Sequence, residues 1–245
     1  LIRRLLASEP PLVNTTSVEC APTAAATWLR ASSTARRAAR PYSCRLEALP
    51  KRVASQGSIE KLAMDRFGNT YVYGTLQITA TLGDLEINNT SIDKPVSGFV
   101  AKLDRQGHGL WYRLLEGITA WALDVDPVDD SLVLAGVASG RNDEIRIGTV
   151  RARRYAAAEG IAAKIGADGT TAWLHTSPQV DVQVSTCEAD AIAADETGLY
   201  LTGMYSFSIS FGTFQLHRTG TSPAYWIGKL DHNGNAQWIK QAEGT

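Results

Sequence analysis

Beyond residue 58 the chain reads as short apolar or β-branched runs separated by polar, Gly-containing turns, and one order of runs and turns occurs three times. Each copy opens on a stretch ending in Asp: LAMD (Leu62–Asp65), LDVD (Leu123–Asp126) and IAAD (Ile192–Asp195). A β-rich run with a Gly follows: TYVYG (Thr70–Gly74), LVLAG (Leu132–Gly136) and LYLTG (Leu199–Gly203). After a looser stretch containing LGD, IGT or FGT comes a run with a Lys near its end: FVAKLD (Phe99–Asp104), IAAKIG (Ile161–Gly166) and WIGKLD (Trp226–Asp231). The copy closes on G-x-x-x-W: GHGLW (Gly107–Trp111), GTTAW (Gly169–Trp173) and GNAQW (Gly234–Trp238).

The spacings test the alignment. Gly74, Gly136 and Gly203 are 62 and 67 residues apart, and Trp111, Trp173 and Trp238 are 62 and 65 apart. Lys102, Lys164 and Lys229 repeat the 62 and 65. A partial copy, KRVASQG (Lys51–Gly57), precedes the first. Each unit predicts four short strands, with Gly turns after the first and third. Asp65, Asp126 and Asp195 either cap the turn after their strand or face a common axis; the Asx-type cap is the simpler role. Connections of about 20 residues between the second and third strands (76–97, 138–159 and 205–224) differ in every copy, and such loops are where specificity usually resides.

One four-stranded sheet cannot bury both its faces, whereas stacked sheets cover one another and a Trp can wedge between them. The expected fold is therefore all-β: a partial β-propeller of about three four-stranded blades (58–116, 117–176 and 185–245) within a repeat region 48–245. A sandwich of pseudo-repeats is the alternative. Asp65, Gly74, Lys102, Trp111, Asp126, Gly136, Lys164, Trp173, Asp195, Gly203, Lys229 and Trp238 are its structural repeat positions, with no catalytic, cofactor or metal role expected for them.

Residues 1–47 have another character. Nine basic residues stand against three acidic ones in 1–56, so of the total charge of −1 the remainder carries −7. Residues 21–40 are rich in Ala, Ser and Arg and contain no acid, which predicts a poorly ordered extension with at most a short helix near Thr23–Arg40. Charge near zero excludes a global pull toward nucleic acid or anionic membrane, and no apolar stretch is long enough for a membrane span. The three cysteines, Cys20, Cys44 and Cys187, form no CxxC; either all are free thiols or Cys20 pairs with Cys44.

The repeat resembles the bacterial SBBP-type (seven-bladed) β-propeller family. Members typically carry D-x-x-G-N-x-Y-V-x-G and then D-x-F-V-A-K-L-D-x-x-G-x-x-x-W. The first copy here reads DRFGNTYVYG (Asp65–Gly74) and GFVAKLDRQGHGLW (Gly98–Trp111), and the third reads DETGLYLTG and YWIGKLDHNGNAQW. The second departs most, with Pro127–Asp130 in place of its first Gly turn and Gly166 in place of the Asp after the Lys. The resemblance implies a secreted or cell-surface bacterial protein with no assigned activity, and it supplies a fold rather than a site. The G-x-x-x-W ending also resembles the tryptophan-docking motif of quinoproteins, whose vicinal Cys pair is missing here.

Other motifs have plain readings. Asp231, Asn233 and Asn235 resemble the start of a calcium loop, but Ala242 stands where an EF-hand needs Glu, so a turn is expected. His108, His175, His217 and His232 lack any Ser/Asp triad signature or G-x-S-x-G. Arg141, Arg146, Arg151, Arg153 and Arg154 make a basic loop patch, read as a solvated surface. Asn14, Asn88 and Asn89 start glycosylation sequons. The functional expectation is a non-catalytic scaffold or recognition module that binds protein or glycan through its variable loops. The alternatives are a propeller enzyme, quinoprotein-like or hydrolase, with a site at its axial end, and a fragment without function of its own. No cofactor is expected. Three units do not close a ring, so closure needs further blades or a second copy.

Overall fold

The computed structural model describes residues 57–90, 96–138, 143–155, 158–177, 186–218 and 222–242. The extension 1–47 with its helix near 23–40, Cys20, Cys44, Asn14, Arg141 and most of the partial copy at 51–57 lie outside them. The described residues form strands throughout, and no helix among them is long and apolar enough to cross a membrane.

The first unit contributes β1 (Gly57–Met64), β2 (Thr70–Leu76), β3 (Thr79–Leu82), β4 (Leu85–Asn88), β5 (Ser97–Leu103) and β6 (Gly109–Glu116). The second contributes β7 (Ile118–Val125), β8 (Leu132–Ala138), β9 (Glu144–Ile147), β10 (Val150–Arg153), β11 (Glu159–Ile165) and β12 (Thr171–Thr176). The third contributes β13 (Ala191–Asp195), β14 (Gly198–Tyr205), β15 (Ser208–Phe211), β16 (Phe214–His217), β17 (Ala224–Leu230) and β18 (Ala236–Gln241). Three antiparallel meanders result: β1-β2-β5-β6, β7-β8-β11-β12 and β13-β14-β17-β18.

The connections expected to be loose are more ordered than the sequence suggests. Each contains a hairpin, β3–β4, β9–β10 or β15–β16, whose tight turn places Gly83, Gly148 or Gly212 at φ 67°, 60° or 57°. These are the glycines of LGD, IGT and FGT. Alternation too short to register as a strand hides such four-residue elements in sequence. One hairpin also crosses units: β9 pairs with β6, through Leu115 opposite Ile147 and Glu116 opposite Arg146, so the first sheet grows to six strands.

The sheets pack face against face because their central strands are apolar on both sides. Along β8, Leu132 and Leu134 belong to the cluster shared with the first unit, with Tyr71, Tyr73, Val100 and Ile161. Their neighbours Val133 and Ala135 belong to the cluster shared with the third, with Ala162, Leu199, Leu201 and Trp226. Period-two alternation thus feeds two cores at once. Each fully buried aliphatic side chain contributes about 1.5–3 kcal/mol relative to exposure. The first strands follow one another in space as in sequence, with β7 against both β1 and β13. Cys187 is a free thiol buried in the second core, where loss of solvation pushes its pKa up to about 12 and leaves it unreactive.

The recurring glycines mark a repeated irregularity. The register between β1 and β2 jumps from Ile59–Gly74 to Lys61–Tyr73, and that between β7 and β8 jumps from Ala120–Gly136 to Ala122–Ala135. Each bulge drives a carbonyl toward the glycine. A Cβ on Gly74, Gly136 or Gly203 would lie 2.2, 2.1 or 1.9 Å from the carbonyl oxygen of Ser58, Thr119 or Glu188. No side chain fits there without moving backbone. Gly136→Ala should therefore lower the free energy of unfolding by about 1–3 kcal/mol, measured by denaturant titration. Gly228→Ala is the control: its Cβ would meet Trp226 no closer than 3.4 Å, and its loss should be smaller.

Candidate functional site

Two features gather polar side chains: the seams between sheets, and an open cleft at the outer edge of the first.

The seams are built by register. Lys102 stands opposite Trp111, Lys164 opposite Trp173 and Lys229 opposite Trp238, each beside a bulge that shifts the pairing of the last two strands. Directly opposed residues project from the same face of the sheet, so each lysine and indole point together, in the first two units toward the next. The following turn meets them. The Ala167 carbonyl accepts from Lys102 Nζ at 3.3 Å and from Trp111 Nε1 at 3.0 Å. The His232 carbonyl accepts from Lys164 Nζ at 3.2 Å and from Trp173 Nε1 at 3.4 Å. The turn lies so close to the ring that a Cβ on Gly169 or Gly234 would stand 2.8 or 2.9 Å from the Trp111 or Trp173 indole.

Both lysines are 4% exposed, so their charge needs a partner. Lys102 lies 3.2 Å from Asp65 and donates to the Tyr71 hydroxyl at 2.9 Å. Tyr71 in turn donates to the Asp130 carbonyl of the second unit. Lys164 lies 2.7 Å from Asp126 and 2.9 Å from Asp129, and His232 Nδ1 approaches the same Asp126 oxygen at 2.7 Å. The recurring aspartates also cap their turns. Asp65 Oδ1 accepts from the Phe67 and Asn69 amides, Asp126 Oδ1 from Val128, and Asp195 Oδ1 from Thr197 and Gly198. In the second unit Asp130, at φ 57°, takes the left-handed position that Gly68 fills in the first. The third unit differs. Lys229 donates to Thr197 Oγ1 at 2.9 Å and lies over the Tyr200 ring.

The cleft, of roughly 530 Å³, is lined by residues of β4, β6 and β9 with flanking turns, among them Leu85, Trp111, Arg113, Glu116, Arg146 and Gly148. Arg146 pairs with Glu116 through Nε at 3.0 Å and through Nη2. The Arg113 guanidinium lies 5.8 Å from the Trp111 ring and donates to the Tyr112 carbonyl at 2.7 Å. An indole, a partly free guanidinium and a fixed ion pair along one opening can stack and hydrogen-bond a polar ligand. Only the crossing of the β9–β10 hairpin to β6 makes this combination, and no local motif announces it.

The remaining candidates are dispersed. His108 pairs with Asp104, His175 stacks on Trp173 with its pKa lowered by burial, and His217 lies near Gln215. Asp231 accepts from the amides of Asn233 and Asn235 and from Asn235 Nδ2, so its carboxylate serves the turn. Among the described residues no three His, Cys, Asp or Glu side chains converge as a metal site. In the basic patch Arg146 and Arg151 are paired with Glu116 and Glu144, and Arg153 lies over Tyr155. No family model matches the chain, and neither does any curated protein.

The seam ionisations make stability depend on pH at both extremes. Burial acts to raise the Asp65 carboxyl, but hydrogen bonds from Asn69, Lys102 and Phe67 outweigh it and hold it below 3.8. Asp129 is lowered likewise, against its own burial, by Lys164 and Ser131. Burial acts to lower Lys164, but Asp126 and Asp129 prevail and hold it above 10.5. The carboxylates' contribution is complete above the unfolded value of 3.8 and is lost as pH falls through their lower folded values. The Lys164 contribution is complete below 10.5 and is lost as pH rises through its higher folded value. Lys164→Met should cost about 3–5 kcal/mol by removing the cation that faces Asp126, which keeps only the His232 ring and the Val128 amide, and should flatten the alkaline limb in denaturant titrations across pH. Adding Asp126→Asn to that variant should recover part of the loss.

Proposed function

We propose that the chain is part of a β-propeller of the SBBP type and acts as a non-catalytic recognition scaffold, exposed at or outside a bacterial cell surface. The succession of β1, β7 and β13, each the first strand of a four-stranded meander, supports the propeller reading, and the repeated lysine–indole seam supports a common stacking rule. The observation that carries recognition is the hairpin inserted at one point of each unit in unlike chemistries. It bears Asn and Thr in the first, Arg in the second and Phe in the third. The frame is constant while the presented surface varies, and that division of labour suits binding more than turnover. The ligand is a protein loop or glycan with a planar or hydroxyl-rich group that lies along Trp111 and Arg113 in the cleft.

A glycan array and a displayed-peptide library should each be screened with the intact chain. The expected result is a ligand whose affinity falls about tenfold, or about 1.4 kcal/mol, in Arg113→Ala, with the melting temperature unchanged. A ligand indifferent to Arg113→Ala and to changes at the hairpin tips, or turnover of a screened compound, would overturn the reading.

A further inference from the structure

The two seams define what each sheet presents to its successor, and the third sheet presents the same lysine and indole with no successor against them among the described residues. Two residues before the seam lysine stand Val100, Ala162 and Ile227. The first two are fully buried by the next unit, whereas Ile227 is 44% exposed. Beside it Tyr225 is 62% exposed. Opposite Lys229 stands Tyr200, as Tyr71 stands opposite Lys102, and the cation lies 4.9 and 4.6 Å from the two rings. Trp238 is held edge-on to Tyr200, and its Nε1 has no acceptor among the described residues. Apolar surface, a cation and an indole donor thus lie ready in the arrangement that twice grips a turn.

The complementary part exists at the other end of the same chain. In the gripped turns Gly166 N donates to Thr170 O, and Gly169 N to Gly166 O, both at 2.8 Å; Asp231 N donates to Asn235 O at 2.8 Å and Gly234 N to Asp231 O at 3.0 Å. The first-unit turn repeats this, with Asp104 N to His108 O at 2.9 Å and Gly107 N to Asp104 O at 3.0 Å. Gly107, Gly169 and Gly234 have φ of 87°, 84° and 85°. Arg105 stands three residues after Lys102, as Ala167 stands after Lys164 and His232 after Lys229, so its carbonyl is the equivalent acceptor. Arg105 is exposed, and its carbonyl accepts no hydrogen bond among the described residues.

We infer that the third sheet's open face docks the first-unit turn of a second copy of this chain, with Lys229 Nζ and Trp238 Nε1 both donating to that copy's Arg105 carbonyl. The contact is heterologous: it uses unlike surfaces on the two copies and leaves one of each free. Two copies bring six sheets together, a number at which propellers close.

Light scattering on the intact chain over a range of concentrations tests this, with association expected. Ile227→Glu, which puts charge on the open face, should abolish it. So should Gly107→Asn, because asparagine tolerates a left-handed backbone while its side chain meets the indole. A 1:1 mixture of these two variants should restore a complex that stops at the dimer, since each retains the surface the other has lost. Trp238→Ala should weaken association. A wild type that is monomeric throughout, or variants that associate like the wild type alone, would overturn the inference. So would a mixture that forms no dimer while both variants melt as the wild type does.

Discussion

A lysine ammonium placed between two packed sheets has to be neutralised and given hydrogen-bond acceptors, and that requirement aligns each sheet with the next. Hydrophobic contact alone is non-directional, and the side chains of β8 would tolerate small slides against either neighbour. The lysine does not. Lys102 and Lys164 each have an aspartate from their own sheet and a single carbonyl from the next, and the adjacent indole donates to that same carbonyl. Two donors converging on one oxygen leave little freedom of registration. A buried pair adds little net stability over a hydrophobic replacement, so its contribution here lies in uniqueness of docking.

Much of this frame could be read in the sequence because it depends on short, rigid spacings. Lysine and tryptophan are nine residues apart in all three copies, the length of one strand end, one five-residue turn and one bulge. The glycines of the second strands were equally visible, although their reason, a carbonyl of the adjoining segment pressed against them, requires the tertiary pairing. The capping by Asp65, Asp126 and Asp195 follows from turn chemistry; their second task, facing a lysine from another strand, depends on long-range pairing. That task is met in the first two units by an ion pair and in the third by Thr197 and Tyr200 around Lys229, a difference no spacing reveals.

The outer edge was harder to read for the same reason. Hairpins of four-residue strands look like loops, and β9 reaches β6 of the preceding unit across 30 residues of chain, from Glu116 to Arg146. The cleft beside Trp111 is a product of that crossing. The arginine patch read as a solvated surface is in part paired, with Glu116 and Glu144. Trp111 consequently belongs to both regions: its Nε1 secures the seam, while its ring is covered by Arg113 at the cleft.

The third hairpin, β15–β16, shares no ladder with any other strand, although Ile209 and Phe211 anchor it in the second core. Its tip, at Gly212 and Thr213, is exposed and joins no ladder of the four-stranded sheets, although Gly212 stands beside Ala236 of β18. Foreign peptide spliced in after Thr213 would be displayed on a stalk whose ladder no other strand shares. The same anatomy explains how duplicated copies could acquire unrelated sequence there while their lysines, indoles and turn glycines stayed in step.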